Sequence, residues 1–247
     1  MMLLDVRAIE KRYGGVHAVS GVTFGVAPGE RVALIGPNGA GKSTCFNVIG
    51  GQVRPDGGEV RLDGIGITGM PPRELFRRRV GRTFQITATF ASMTVVENVQ
   101  TTLQSHRHGT YRLVGNASRA ARDESIALLE QVGLGTQADL PCAQLAYGDL
   151  KRLELAIALA NEPRLLLMDE PTAGMAPGER HDLMNLVTRL VSARGMAVLF
   201  TEHDMDIVFG HADRLLVLDR GRLIAHGDPG TVRRDPEVQR IYLGGSH

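Results

Sequence analysis

Residues 31–51, RVALIGPNGAGKSTCFNVIGG, decide the fold. RVALI is a short apolar run of strand length, and KSTCFNVI is helix-like, closed by Gly50-Gly51 in the manner of a helix C-terminus. Between them GPNGAGKST fits G-x-x-x-x-G-K-[ST] in the strand–loop–helix context that gives this pattern meaning. A phosphate chain needs many donors at short range. Glycines let backbone N–H groups turn inward, and a helix N-terminus adds the positive end of its dipole. Gly36, Pro37, Asn38, Gly39, Ala40, Gly41, Lys42, Ser43 and Thr44 are therefore candidate nucleotide-binding residues. Lys42 supplies a point charge to the β and γ phosphates, and Ser43 offers a hydroxyl to Mg²⁺, which keeps several waters and few protein ligands.

Residues 3–9, 19–26 and 59–62 also read as strands, separated by turns at Pro28-Gly29 and at residues 55–58. From about 86 to 144 two helix-like stretches, near 95–104 and 118–132, come without good strand candidates and predict a helical lobe. After it the pattern alternates: a helix at about 150–160, a strand at 165–168, a helix at 179–193 and a strand at 197–200, which predicts a mostly parallel sheet. Residues 214–219 and 222–226, joined around Gly221, read as a hairpin. The expected class is α/β with an antiparallel part, in one domain over 1–247: residues 1–85 and 150–247 form the core with its β part, and 86–149 form the helical lobe.

Composition narrows the function classes. A chain of 247 residues with 43% apolar and 22% charged residues supports an ordinary globular core. A net charge of +1 gives no footprint for nucleic acid. Cys45 and Cys142 stand in no metal or redox spacing, and no disulfide is expected. Cys45 lies on the first helical turn, where the dipole can lower a thiol pKa, so a redox switch is weighed against a small packed residue. Apolar runs are far shorter than the roughly 20 residues of a spanning helix, and no export signal is visible.

RLLLMDEP, residues 164–171, is an apolar strand ending in two acids. Asp169 suits Mg²⁺, through water, and Glu170 suits polarisation of the water that attacks a γ phosphate. With these residues in place the sequence resembles the nucleotide-binding subunits of ABC transporters over nearly the whole chain. The resemblance implies a P-loop NTPase fold with a RecA-like core, an antiparallel β subdomain and a helical subdomain. It also implies ATP hydrolysis with Mg²⁺. Four further motifs occur in the family's order: an aromatic near the start to stack on adenine, Tyr13; a glutamine entering the helical lobe, Gln85 in GRTFQ; a signature loop, Leu145, Ala146, Tyr147, Gly148 and Asp149; and a switch histidine, His203 in FTEHD. The resemblance places Gln85 at Mg²⁺ or the attacking water, has His203 donate to the γ phosphate, and turns the signature loop, opening the helix LKRLELAIALA, toward the ATP held by an opposite subunit. Tyr13 as a half-buried tyrosine and Gln85 as a surface amide are the bland alternatives.

The sequence departs from the family at Ala146, where a serine is usual, at Asp149, where a glutamine is usual, and at Ala176, where many relatives carry an aspartate. GRTFQ, MTVVENV, DEPTAGMAP and the tail RDPEVQRIYLGG together resemble the branched-chain amino-acid uptake branch. That implies a sibling ATPase subunit, two transmembrane permease subunits, an external binding protein that acts indirectly, and a peripheral place on the cytoplasmic membrane face. Phe84, Phe90, Met93 and Val96 around Gln85 are expected to line a groove for a helix of the membrane partner. Amide or urea import, a lipid-handling or export complex, and a soluble ABC-type role on ribosomes or DNA stay open as alternatives.

Overall fold

The computed structural model of the chain describes residues 2–83, 89–106 and 116–243. Two sheets organise it. Strands β1 (Leu4–Tyr13), β2 (Val16–Val26), β4 (Gly57–Leu62) and β5 (Ile65–Gly66) form an antiparallel sheet in the order β2-β1-β4-β5. Strands β3 (Arg31–Ile35), β6 (Val80–Thr83), β7 (Leu165–Asp169), β8 (Ala197–Thr201), β9 (Arg214–Asp219) and β10 (Arg222–Gly227) form the second, ordered β10-β9-β3-β8-β7-β6. All of its pairings are parallel except the β9–β10 hairpin.

Strand periodicity explains how the sheet is buried on both faces, as a parallel sheet requires. Val32 and Leu34 of β3, Leu165 and Leu167 of β7, and Ala197 and Leu199 of β8 face one core, shared with the antiparallel sheet and with α1 (Lys42–Ile49). Their alternates Ala33, Ile35, Leu166, Met168, Val198 and Phe200 face a second core. There they meet α3 (Val95–His106), α4 (Asn116–Gln131), α5 (Tyr147–Leu159) and α6 (Pro177–Arg194). Each fully buried Val, Leu, Ile or Phe side chain contributes ~1.5–3 kcal/mol. The helical stretch begins with a capping box, in which the Glu97 N–H donates to Thr94 Oγ1 at 3.3 Å and the Thr94 N–H donates to Glu97 Oε2 at 2.8 Å.

The structure adds short elements. Between β5 and β7 lie α2 (Pro72–Arg77) and β6, and after β8 come α7 (Met205–His211), α8 (Pro229–Arg234) and α9 (Pro236–Leu243). β6 has four residues, one of them glycine, and pairs with β7 some 85 positions away, so no local signal marks it. α5 starts at Tyr147, three residues earlier than its apolar pattern suggests, because Tyr147, Gly148 and Asp149 wind into its first turn. Val96 is fully buried in the core, so it is a packing residue and lines no groove.

Candidate functional site

The parallel sheet brings the ends of separate strands to one edge. β8 lies between β3 and β7, and Asp169 stands opposite Thr201 in the β7–β8 ladder. The glycine-rich loop after β3, Asp169 and Glu170 at the end of β7 and His203 after β8 therefore come to the carboxyl edge of the sheet, where open α/β sheets bind ligands. The cleft there is lined by residues 38–44 of the loop together with Glu170, His203, His17 and Arg220.

The loop turns into α1 through Gly41, whose φ of 100° only glycine adopts without strain. A Cβ at Gly41 would lie 2.2 Å from the Ala18 carbonyl oxygen, whereas one at Gly39 would meet nothing within 4 Å. The backbone thus passes close to β2 on one side and leaves an open cradle on the other. The first N–H groups of a helix have no partner inside it, and Lys42, Ser43 and Thr44 present theirs here. Ser43 is exposed. The Lys42 side chain is 6% exposed, and its ammonium donates to the carbonyls of Gly36 at 2.7 Å and Pro37 at 3.1 Å. Burial pushes its pKa below the ordinary lysine value, while Glu170 and Asp169 pull it back up.

Asp169 accepts a hydrogen bond from the Thr201 hydroxyl at 2.7 Å, and an Arg82 nitrogen lies 4.0 Å from its other oxygen. Glu170 sits at φ 46°, a left-handed conformation uncommon for a non-glycine residue. The Glu170 N–H is held there by Thr201, at 3.0 Å to the hydroxyl and 3.2 Å to the carbonyl. His203 Nε2 is 2.6 Å from Glu170 Oε1. A cation, two carboxylates and an imidazole converge beside a ring of backbone donors, the donor set that a nucleoside triphosphate and a hard divalent cation require. Thr201 and Arg82 were not singled out by the sequence: a threonine ending an apolar strand and an arginine in a short edge strand carry no local signal.

Other candidates fall in different surroundings. Tyr13 is 50% exposed at the end of β1, with the Lys11 ammonium 5.6 Å from its ring centroid. Leu145 is buried in the helical core, where its side chain packs, and its N–H donates to the Cys142 carbonyl at 3.2 Å. Ala146 occupies the N-cap of α5 without a side-chain bond. The Tyr147 hydroxyl donates to the Ala173 carbonyl of the same chain at 3.0 Å, and Asp149 accepts from Gln137 Nε2 at 3.2 Å. Gly148 faces Glu179, whose carboxylate would lie 3.3 Å from an added Cβ. Ala176 is the N-cap of α6, and its N–H donates to Glu179 at 3.2 Å. Gln85 and Phe84 lie outside the described residues. Cys45 is fully buried and its thiol is pushed up to about 12 by desolvation, which makes it a packing residue and not a redox switch.

Residues 19–173 match the model of the ABC transporter family, and residues 222–247 match one described as branched-chain amino acid ATP-binding cassette transporter. The chain is 40% identical to the high-affinity branched-chain amino acid transport ATP-binding protein BraF of Pseudomonas aeruginosa, with 98% of each chain covered. It is 38% identical to LivG of Escherichia coli, which has the same description, again over 98% of each. Among solved structures it superposes on the ADP conformation of MJ1267, an ATP-binding cassette of an ABC transporter, with a TM-score of 0.88 and 35% identity, over 99% of both chains. The chain belongs to the ABC transporter family, as an ATP-binding and ATP-hydrolysing subunit.

Proposed function

We propose that this subunit energises the uptake of branched-chain amino acids through separate membrane permeases. The observation that carries the ATPase half is the convergence of Lys42, Glu170 and His203 on one cleft at the sheet edge, with Asp169 next to Glu170 at the end of β7. In this reading Lys42 and the N–H groups of residues 39–44 hold the phosphates, and Tyr13 stacks on adenine. Ser43 and Asp169, with Gln85, would hold Mg²⁺, whose charge would offset that of the phosphates. Glu170 takes the proton of the attacking water and His203 donates to the γ phosphate, so charge built up in transfer is met by fixed groups. The signature residues 145–149 lead into α5, whose first turn at Tyr147, Gly148 and Asp149 offers a second set of helix N-terminal donors to the nucleotide of a second ATPase subunit.

The chain divides functionally into the core, 1–85 and 150–247, and the helical lobe, 86–149. Between them lies an apolar cleft of about 450 Å³, lined by Leu75, Phe76, Val80 and Ile157 among others and not by Phe90, Met93 or Val96; in this reading the cleft would receive a permease helix. Among the described residues no helix is long and apolar enough to cross a membrane, in keeping with a peripheral subunit on the cytoplasmic face that works through permeases. The amino-acid reading is supported by the C-terminal match and by the names of the full-length relatives. The amino acid itself would be captured by an external binding protein.

Affinity purification from detergent-solubilised membranes tests the assembly. A second ATPase subunit and two multi-spanning permeases should co-purify, and the binding protein that serves those permeases should bind leucine, isoleucine or valine. Recovery of ribosomal or DNA-associated proteins in their place would overturn the transport reading and leave the ATPase.

A further inference from the structure

Glu202 is 5% exposed, and among the described residues it makes no ion pair. Three donors hold it. Oε1 accepts the Thr172 N–H at 3.0 Å and the Thr172 hydroxyl, and Oε2 accepts the His203 N–H at 3.0 Å. A buried carboxylate is tolerated only when its oxygens are satisfied, and bonds to an ionised acceptor are stronger than neutral ones. Glu202 takes all three from two loops. Thr172, itself 1% exposed, follows Glu170 by two residues in the loop after β7, and His203 follows Glu202 directly in the loop after β8. The side chains carried by those two loops, Glu170 and His203, meet at 2.6 Å.

We infer that Glu202 is a positioning residue for ATP hydrolysis, a buried carboxylate bracket that fixes the loop bearing Glu170 against the loop bearing His203. The inference rests on the roles proposed above for those two residues. Displacing reacting groups by about 1 Å costs on the order of 10²-fold in rate, so a bracket of this kind acts on turnover. It does not touch the nucleotide, so it leaves ATP affinity to the phosphate loop. Glutamine in its place has one acceptor oxygen, and its NH₂ group would confront either the two Thr172 donors or the His203 N–H, so one loop is released whichever way the amide turns.

The test compares Glu202→Gln, Thr172→Val and Glu170→Gln in the full chain, measuring kcat, KM and equilibrium ATP binding, with melting temperature as a check of folding. Glu202→Gln should lower kcat by about tenfold or more, within the range that misplacement explains, while KM and the Kd for ATP stay near wild type. The amide proton resonances of Thr172 and His203 should move upfield as their carboxylate acceptor is lost. Thr172→Val removes one donor of three and should lower kcat by a smaller factor, and it carries the test if Glu202→Gln does not fold. Unchanged kcat in a folded variant, or kcat and ATP affinity falling together with the melting temperature, would overturn the inference. If Glu170→Gln turns over ATP at the full rate, the assignment of Glu170 falls and takes this inference with it. If Glu170→Gln is inactive and Glu202→Gln is not, only the bracket falls.

Discussion

Replacing Gly41 by alanine tests the packing that shapes the phosphate loop. The residue sits at φ 100°, and an added Cβ would lie 2.2 Å from the Ala18 carbonyl oxygen and 3.4 Å from the Gly221 Cα. The first distance is well under the 3.0 Å below which Cβ atoms are essentially never found. Gly221 is tied on both sides, because Ser20 N, two residues after Ala18, donates to its carbonyl at 2.8 Å and its own N–H donates to the Ala40 carbonyl at 2.9 Å. Gly39 supplies the control: its φ is 78°, and nothing lies within 4 Å of its Cβ position. Gly39→Ala should cost only the left-handed backbone, ~1–2 kcal/mol. Gly41→Ala adds an overlap of ~1–3 kcal/mol. At ~2–4 °C per kcal/mol for a chain of this size, the control should melt ~2–8 °C below wild type. Gly41→Ala should melt ~4–20 °C below it. Differential scanning calorimetry without nucleotide reads both. A Gly41→Ala protein as stable as Gly39→Ala would refute the close approach of loop and β2.

Lys42→Ala removes the ammonium that reaches the loop carbonyls, and the loss of a charged hydrogen bond of ~1.5–3 kcal/mol predicts ~10- to 100-fold weaker ATP binding. Unchanged affinity by calorimetric titration would remove Lys42 from the site. His211 gives a pH prediction. Its Nε2 lies 3.3 Å from His181 Nδ1, and burial, His181 and Arg31 lower its pKa from the ordinary 6.5. The folded state therefore binds fewer protons than the unfolded one, so the stability that depends on neutral His211 is present above pH 6.5 and is lost as the pH falls through the lower folded pKa. Between pH 7.5 and 5.5 the urea midpoint of wild type should fall further than that of His211→Gln, and equal falls would refute the assignment.

What was legible in the sequence was what local pattern encodes. The apolar runs of β3, β7 and β8, bounded by the glycine-rich loop, the acid pair and the FTEHD turn, carry their own punctuation, and they place Lys42, Asp169, Glu170 and His203 at strand ends. α7 and α8 carry local marks too: Asp204 caps the first, accepting from the Asp206 N–H at 3.0 Å, and Asp228 followed by Pro229 opens the second. Other features are tertiary in origin. β6 exists because β7 offers it a partner, Tyr147 faces Ala173 because α5 begins a turn early, and the Glu202–Thr172 contact joins residues 30 positions apart across neighbouring strands. No spacing rule in one sequence reports such pairings.

The most direct test of the account is Glu170→Gln with ATP and Mg²⁺. The amide keeps the size of the side chain and removes the base. The variant should bind ATP as wild type does, accumulate as an ATP-loaded dimer on size-exclusion chromatography and release almost no phosphate. Phosphate release at the wild-type rate would contradict it, and would place the water-activating group elsewhere in the cleft.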